Sequence, residues 1–137
     1  MNILEANSLE YRDTILDLIA EIPKLDWSRE QLDVWLILNL GTDVFNSWLA
    51  IDEQDKPVGV LACEVIEQNI EPKVYISFCY VKPKFKKCAD MLLDKCEEWA
   101  KRINVKKLLV STTKRNYRGF EREHGFKFQR VVLAKDI

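Results

Sequence analysis

The chain of 137 residues contains one histidine, His124, and its four cysteines (Cys63, Cys79, Cys88 and Cys96) show no C-x-x-C pairing. That inventory argues against a zinc site. Cys88 and Cys96 fall on one expected helix about 12 Å apart at roughly 1.5 Å per residue, too far for a disulfide. Four reduced thiols in a cytoplasmic protein are therefore expected. No apolar run approaches the roughly 18 residues of a membrane span. The N-terminus, MNILEANSLEYRD, also lacks the basic stretch followed by an apolar one that marks a secretory signal. Repeats, low-complexity tracts and linkers are absent as well, so nothing argues for a second domain. With 47% hydrophobic and 31% charged residues, the expectation is one soluble globular domain, residues 1–137, with a real core and no membrane contact.

The formal net charge of −1 hides an asymmetry. Residues 1–72 hold 15 Asp/Glu against 4 Lys/Arg, a net of −11, and residues 73–137 hold 17 Lys/Arg against 7 Asp/Glu, a net of +10. A half this basic suggests an anionic ligand such as a nucleotide, a coenzyme phosphate or nucleic acid. Mutual attraction of the two halves within one fold explains the same numbers, and both readings stand.

After a short apolar start at Ile3 and Leu4, Ser8 is placed to cap a helix through about Ile22. Its apolar positions are Ile15, Leu18, Ile19 and Ile22, and Pro23 ends it. Ser28 opens a second helix with Gln31 at the capping-box position, a buried stripe of Leu32, Trp35, Leu36 and Leu40, and Gly41 as the stop. Phe45 to Ile51 and Val58 to Ile66 read as two strands of a hairpin around the turn EQDK. KVYISFCYV, Lys73 to Val81, is apolar enough to be a central strand. The helix after it carries the clearest stripe in the chain: Ala89, Leu92, Leu93, Cys96, Trp99, Ala100 and Ile103. Lys107 to Thr112 is then a strand parallel to the central one, because a helix connects them. A short polar helix from about Asn116 to His124 leads through Gly125 into a last strand, Phe126 to Lys135. The fold class is α/β or α+β, with one mixed central sheet flanked by helices.

Between central strand and helix lies CYVKPKFKKCADMLLDK, residues 79–95. A strand-to-helix turn is a favoured anion site, because the first amides of a helix have no partner. Glycines usually allow close approach there; this turn has none and carries Lys82, Lys84, Lys86 and Lys87 instead. Lysine supplies a point charge and three donors, so it holds phosphate without strict geometry. A solvated, solubilising loop is the alternative.

From about Trp48 onward, the order of elements and the stretch YVKPKF…LL…EEWAK…VKKLLVSTT…HGFKF resemble the GNAT acetyltransferases, which use acetyl-coenzyme A. Val81-x-Pro83 is similar to the family's V-x-P at the end of its central strand, LLDKCEEWAK to its pyrophosphate-side helix, and HGFKF to the segment opening its late strands. The resemblance implies a GNAT-like acyl-CoA N-acyltransferase fold in which the central strand splays from its neighbour. The pantetheine arm would pair with the exposed backbone and the pyrophosphate would sit on the turn. The coenzyme-binding positions carried over are Cys79, Val81, Lys84, Lys86, Lys87, Cys88 and Ala89. The implied function is transfer of an acetyl group from acetyl-CoA to an amine of a small molecule or protein. A homodimer is compatible with it.

Two departures stand out. The family turn reads Q/R-x-x-G-x-G/A where this chain has Lys84-x-x-Lys87-x-Ala89, so Lys87 replaces a glycine. The family often has an acidic tyrosine four residues before the glycine of its GF; here that position is Glu121, and Tyr117 lies a helical turn earlier. These departures favour the alternative of a GNAT-fold binding or structural module without catalysis. STTKRNYRGFEREHGF is also similar to divergent GNAT-like proteins encoded by bacteriophages, which would place the protein in host cytoplasm or a virion.

Acetyl transfer to an amine needs a base, since an ammonium has no free lone pair. Glu64 and Glu67, on the strand before the central one, are candidates, and Glu71 follows, while Tyr117 and Glu121 are candidate acids toward the thiolate; each also reads as an ordinary surface or packing residue. Lys114, Arg115 and Arg118 serve either the adenosine phosphates or the surface. Cys88, near a helix start among lysines, has the setting of a low-pKa thiol, but His124 is the only histidine to act as its base. Trp27, Trp35 and Trp48 line either an acceptor pocket or the core. The acidic half suits a cationic acceptor, and the mix of acidic and basic halves argues against nucleic acid as the partner.

Overall fold

A computed structural model of the chain describes residues 1–111, 125–127 and 135–136. Its described strands are β1 (Asn2–Glu5), β2 (Phe45–Ile51), β3 (Pro57–Gln68), β4 (Glu71–Val81) and β5 (Leu108–Val110), and they form one sheet in that order. The β1–β2, β2–β3 and β3–β4 pairs are antiparallel, and β4–β5 is parallel. The parallel pair follows from the helical crossover between its strands, α3 (Cys88–Arg102). The mixed α+β sheet flanked by helices is thus the fold class that the sequence indicates. The expected polar helix at 116–124 and most of the last strand, 126–135, lie outside the described residues.

The N-terminal segment is not one helix from Ser8. Tyr11 N–H donates to Ser8 O at 3.1 Å, closing a tight 3₁₀ turn at Leu9–Tyr11, while the Ser8 hydroxyl donates to Glu10 instead of capping. α1 then runs Arg12–Ile19 and tightens again, with Glu21 and Ile22 donating to Leu18 O and Ile19 O before Pro23. α2 (Arg29–Asn39) opens on the capping box as expected: Gln31 N–H donates to Ser28 Oγ at 3.1 Å and Ser28 N–H to Gln31 Oε1 at 2.8 Å. Gly41, at φ +87°, ends that segment in the left-handed region where glycine carries no Cβ penalty. Asn7 ties the two helices to the sheet, donating to Thr42 O and Phe45 O and accepting from Gly41 N–H.

The strands alternate their side chains between two apolar layers. On one face, Trp48, Ala50, Leu61, Cys63, Val74 and Ile76 meet α3 through Cys88, Leu92, Leu93, Cys96, Trp99 and Ala100. On the other, Phe45, Leu49, Val60 and Ala62 meet α1 and α2 through Ile15, Leu16, Ile19, Leu32, Leu36 and Leu40. Each large side chain so buried contributes about 1.5–3 kcal/mol. Two expectations shift. Ile103 is more than a third exposed, because α3 ends at Arg102 and the chain turns away there. Trp48 does not join Trp27 and Trp35: it faces α3 and packs edge to face on Trp99, with ring centres 6.1 Å apart.

Candidate functional site

The central strand is held differently along its length. Val74, Tyr75 and Ile76 pair with Leu108, Leu109 and Val110, and there the β5 register ends. β4 continues to Val81 with β3 as its partner among the described residues, Phe78 lying opposite Ala62, Cys79 opposite Leu61, Tyr80 opposite Val60 and Val81 opposite Gly59. Gly59 permits that last approach: a Cβ there would lie 3.2 Å from Val81 Cγ2 and 3.3 Å from Tyr80 O. Between the two halves the β3–β4 register shifts, because Cys63 faces Ile76 while Ala62 faces Phe78. Ser77 is the extra residue of this bulge, and it follows directly on the last residue paired to β5. Its Oγ is buried and has no hydrogen-bond partner among the described residues.

At the far end of the open stretch the chain makes a 3₁₀ turn, Pro83–Phe85, and enters α3. Phe85 N–H donates to Lys82 O and Ala89 N–H to Lys86 O, and the N-cap residue, Lys87, makes no side-chain cap bond. Lys82 pairs with Glu21 at 3.6 Å, whereas Lys84, Lys86 and Lys87 are exposed and make no ion pair among the described residues. Glu21 also accepts from the Tyr80 hydroxyl at 3.2 Å, joining the end of α1 to the end of β4; desolvation of the phenol, with this bond adding, raises the Tyr80 pKa. A helix start beside three ammonium groups that make no ion pair among the described residues favours an anion, although Asp90 adds a carboxylate to the same first turn.

The α1–α2 face carries the candidate base. Glu64 lies opposite Phe45 on one side and Tyr75 on the other, so it shares their face. Burial raises its carboxyl above the usual glutamate range. Glu67, three residues on, falls on the opposite face and is exposed, and Glu71 stands at the hairpin end opposite Gln68. An aromatic group adjoins this strip: Trp35 lies 5.4 Å from Phe45 and 5.2 Å from Phe78, and Trp27 lies 5.6 Å from Phe78 and 5.9 Å from Trp35. Trp27 remains 40% exposed, flanked by the exposed carboxylates Asp26 and Glu30, which make no ion pair among the described residues. Below the split, the Tyr75 hydroxyl and Ser111 Oγ are 2.9 Å apart.

The thiols belong to the α3 face. Cys88 is buried in the core, so its side chain is not the solvent-facing thiol of the helix start that its sequence setting suggests. The Cys79 side chain also packs toward that core, and burial, with Cys96 adding, pushes its thiol up to about 12. The neighbouring Cys96 thiol and burial push Cys63 up as well. What Cys79 and Val81 offer to the open side of β4 is their backbone. Ala89 is half-buried in the first turn of α3. Tyr117, Glu121, Lys114, Arg115, Arg118 and His124 lie outside the described residues, as does most of the phage-like stretch. The reading from sequence missed Ser77, Phe78 and Glu21. Phe78 was signalled only by alternation along β4, and the bulge inverts that alternation.

The sequence profile of the acetyltransferase (GNAT) family matches residues 12–126. A comparison with curated proteins finds no match. Among solved structures, the chain is similar to aminoglycoside 6'-N-acetyltransferase AAC(6')-Ih from Acinetobacter baumannii, with a TM-score of 0.82 and 18% identity over 99% of this chain and 97% of that one. It is also similar to AAC(6')-IG from Acinetobacter haemolyticus, with a TM-score of 0.79 and 21% identity over 100% and 99% of the two chains. A third similar structure is the aminoglycoside N-acetyltransferase AAC(6')-Iy in complex with CoA, with a TM-score of 0.79 and 13% identity over 98% and 93%.

Proposed function

The chain belongs to the acetyltransferase (GNAT) family, and from that premise we propose that it transfers an acetyl group from acetyl-CoA to an amine of a small polycationic acceptor. One observation carries the reading: β4 parts from β5 at Ile76 and runs on, with one edge unpaired among the described residues, to the helix start beside Lys84, Lys86 and Lys87. Those lysines and the start of α3 at Cys88 fit a pyrophosphate, with Ala89, whose amide already donates to Lys86 O, as a small side chain beside it. The backbone of Cys79 and Val81 fits an extended pantetheine arm that adds to the sheet as a strand would. Bound acetyl-CoA supplies an activated acyl carbon. The protein's part is to hold that carbon beside an amine, remove the amine's proton and exclude water.

Glu64 is the proposed base. Its raised pKa brings it nearer to the pH at which a carboxylate accepts a proton and passes it on, directly or through a water. Tyr117 and Glu121 remain the proposed acids toward the leaving thiolate. Asp26 and Glu30, beside the partly open Trp27, suit a cationic, hydroxylated ring system, since carboxylates bind ammonium groups and aromatic faces accept cations. The solved neighbours named for aminoglycosides support the same acceptor class. All four cysteines are free, which fits the proposed cytoplasmic setting.

Calorimetric titration with acetyl-CoA tests the reading, with Lys87→Glu and the triple change of Lys84, Lys86 and Lys87 to Glu as controls. Micromolar binding is expected, weakened about tenfold by Lys87→Glu and further by the triple change. Thiol release with an aminoglycoside and polyamine panel then identifies the acceptor. Absence of binding by the intact chain would favour the second reading, a binding module in which replacing the turn glycine by Lys87 removed the coenzyme site.

A further inference from the structure

Ser77 has no evident work within the fold. No β3 residue is its register partner, it stands one position past the last β5 pair, and its buried Oγ has no partner among the described residues. Burying a hydroxyl without an acceptor or donor is unfavourable, and a strand position offers easy alternatives in alanine or valine. The bulge and the split of the sheet coincide at this residue, so the orphan hydroxyl sits where the open edge of β4 begins. A bulge at such a point re-aims one side chain out of the pleat.

Resting on the acetyl-CoA reading above, we infer that the Ser77 hydroxyl is a catalytic hydrogen-bond donor to the acyl carbonyl oxygen of the bound thioester. In the transfer, the amine lone pair forms a C–N bond to the carbonyl carbon while the C–S bond breaks. The nitrogen gives its proton to the base, and the departing thiolate takes one up to become free CoA. Negative charge builds on the carbonyl oxygen during attack and disappears when the C–S bond opens. A donor already desolvated, with no competing partner among the described residues, meets that charge without first breaking a hydrogen bond to them. CoA itself has no acyl carbonyl, so Ser77 should distinguish the thioester from the product.

The test compares wild type, Ser77→Ala and Ser77→Thr by calorimetry with CoA and with acetyl-CoA. Infrared spectra of bound acetyl-CoA carrying a ¹³C-labelled acetyl carbonyl provide a second readout. Ser77→Ala should leave CoA affinity unchanged, weaken acetyl-CoA severalfold and return the carbonyl band toward its position in water. Ser77→Thr should keep the wild-type band. Where the panel yields an acceptor, kcat should fall about a hundredfold in Ser77→Ala with the KM for the acceptor little changed. The melting temperature of Ser77→Ala should hold or rise, since the hydroxyl bonds to none of the described residues. A wild type that binds CoA and acetyl-CoA, together with an alanine variant showing the same affinities and the same band, would overturn the role of Ser77 alone. A wild type that binds neither would overturn the acetyl-CoA reading and this inference together.

Discussion

Trp48 and Trp99 meet edge to face beneath α3, both nearly sealed from solvent, whereas Trp27, Trp35 and Phe78 on the opposite face form a group that remains partly open. The α3 face has Cys63, Cys88, Cys96, Leu61 and Leu92 filling its interior; the Cys96 thiol and burial push the Cys63 pKa up, and burial does the same for Cys79 at its edge. The α1–α2 face adds to its core the half-buried Glu64, the Tyr80–Glu21–Lys82 chain of contacts, and carboxylates along its margin. One sheet thus supports two kinds of layer. The dry layer fixes the position of β4, and the partly open layer leaves room for chemistry along it.

The largest expected effect comes from opening the dry layer. Leu92→Ala should destabilise by about 2–5 kcal/mol, read as a lower urea midpoint, because a fully buried side chain at the helix–sheet contact leaves a cavity. Equal effects from Leu92→Ala and from a truncation on the open face would erase the contrast. Trp27→Ala should be milder, about 1–2 kcal/mol, since the ring is 40% exposed and makes two edge contacts. The same variant should raise the acceptor KM while leaving acetyl-CoA affinity alone. Glu64→Gln should have the smallest effect on stability, and a positive one. With its folded pKa raised, the carboxyl favours folding most at low pH and loses that contribution as pH rises through the raised value. The glutamine variant should therefore melt higher than wild type near pH 7, with the difference vanishing below the ordinary glutamate range. Its transfer rate should be low, and the wild-type rate should fall as pH drops through the same raised pKa.

Much of this architecture is written locally. Ser28 and Gln31 announce the start of α2, Phe45 to Ile51 forms the strand its residues indicate, and the α3 stripe from Leu92 to Ala100 is buried as its spacing requires. A parallel β5 follows from the helix before it. β1 was visible only as two apolar residues, because a four-residue edge strand acquires its pattern from β2 rather than from itself. The lysine turn was legible because charge and position suffice to mark it. The core of the candidate site was not. Which face a strand residue occupies depends on every bulge before it, and the bulge at Ser77 bears no glycine or proline to mark it. Trp48 and Trp35, grouped by type in the sequence, were for the same reason separated by the thickness of the sheet.

The tip of the β3–β4 hairpin has a consequence for how the sheet assembles. Asn69 and Ile70 both adopt left-handed backbone, at φ +57° and +63°, and Ile70 is 97% exposed. A two-residue turn of this kind is normally led by asparagine and glycine, and an L-residue there costs roughly 1–2 kcal/mol, more for a branched side chain. Such a turn is a poor nucleator, and Ile70 buries nothing that would compensate. Pairing is therefore favoured first in the body of the hairpin, where Cys63 and Ile76 lie opposite each other in the core, and the tip closes afterwards, helped by the Lys73 Nζ bond to Gln68 Oε1 across the strands. The register that places the bulge at Ser77 is accordingly imposed by the buried side chains of the two strands. It is not inherited from the loop that joins them.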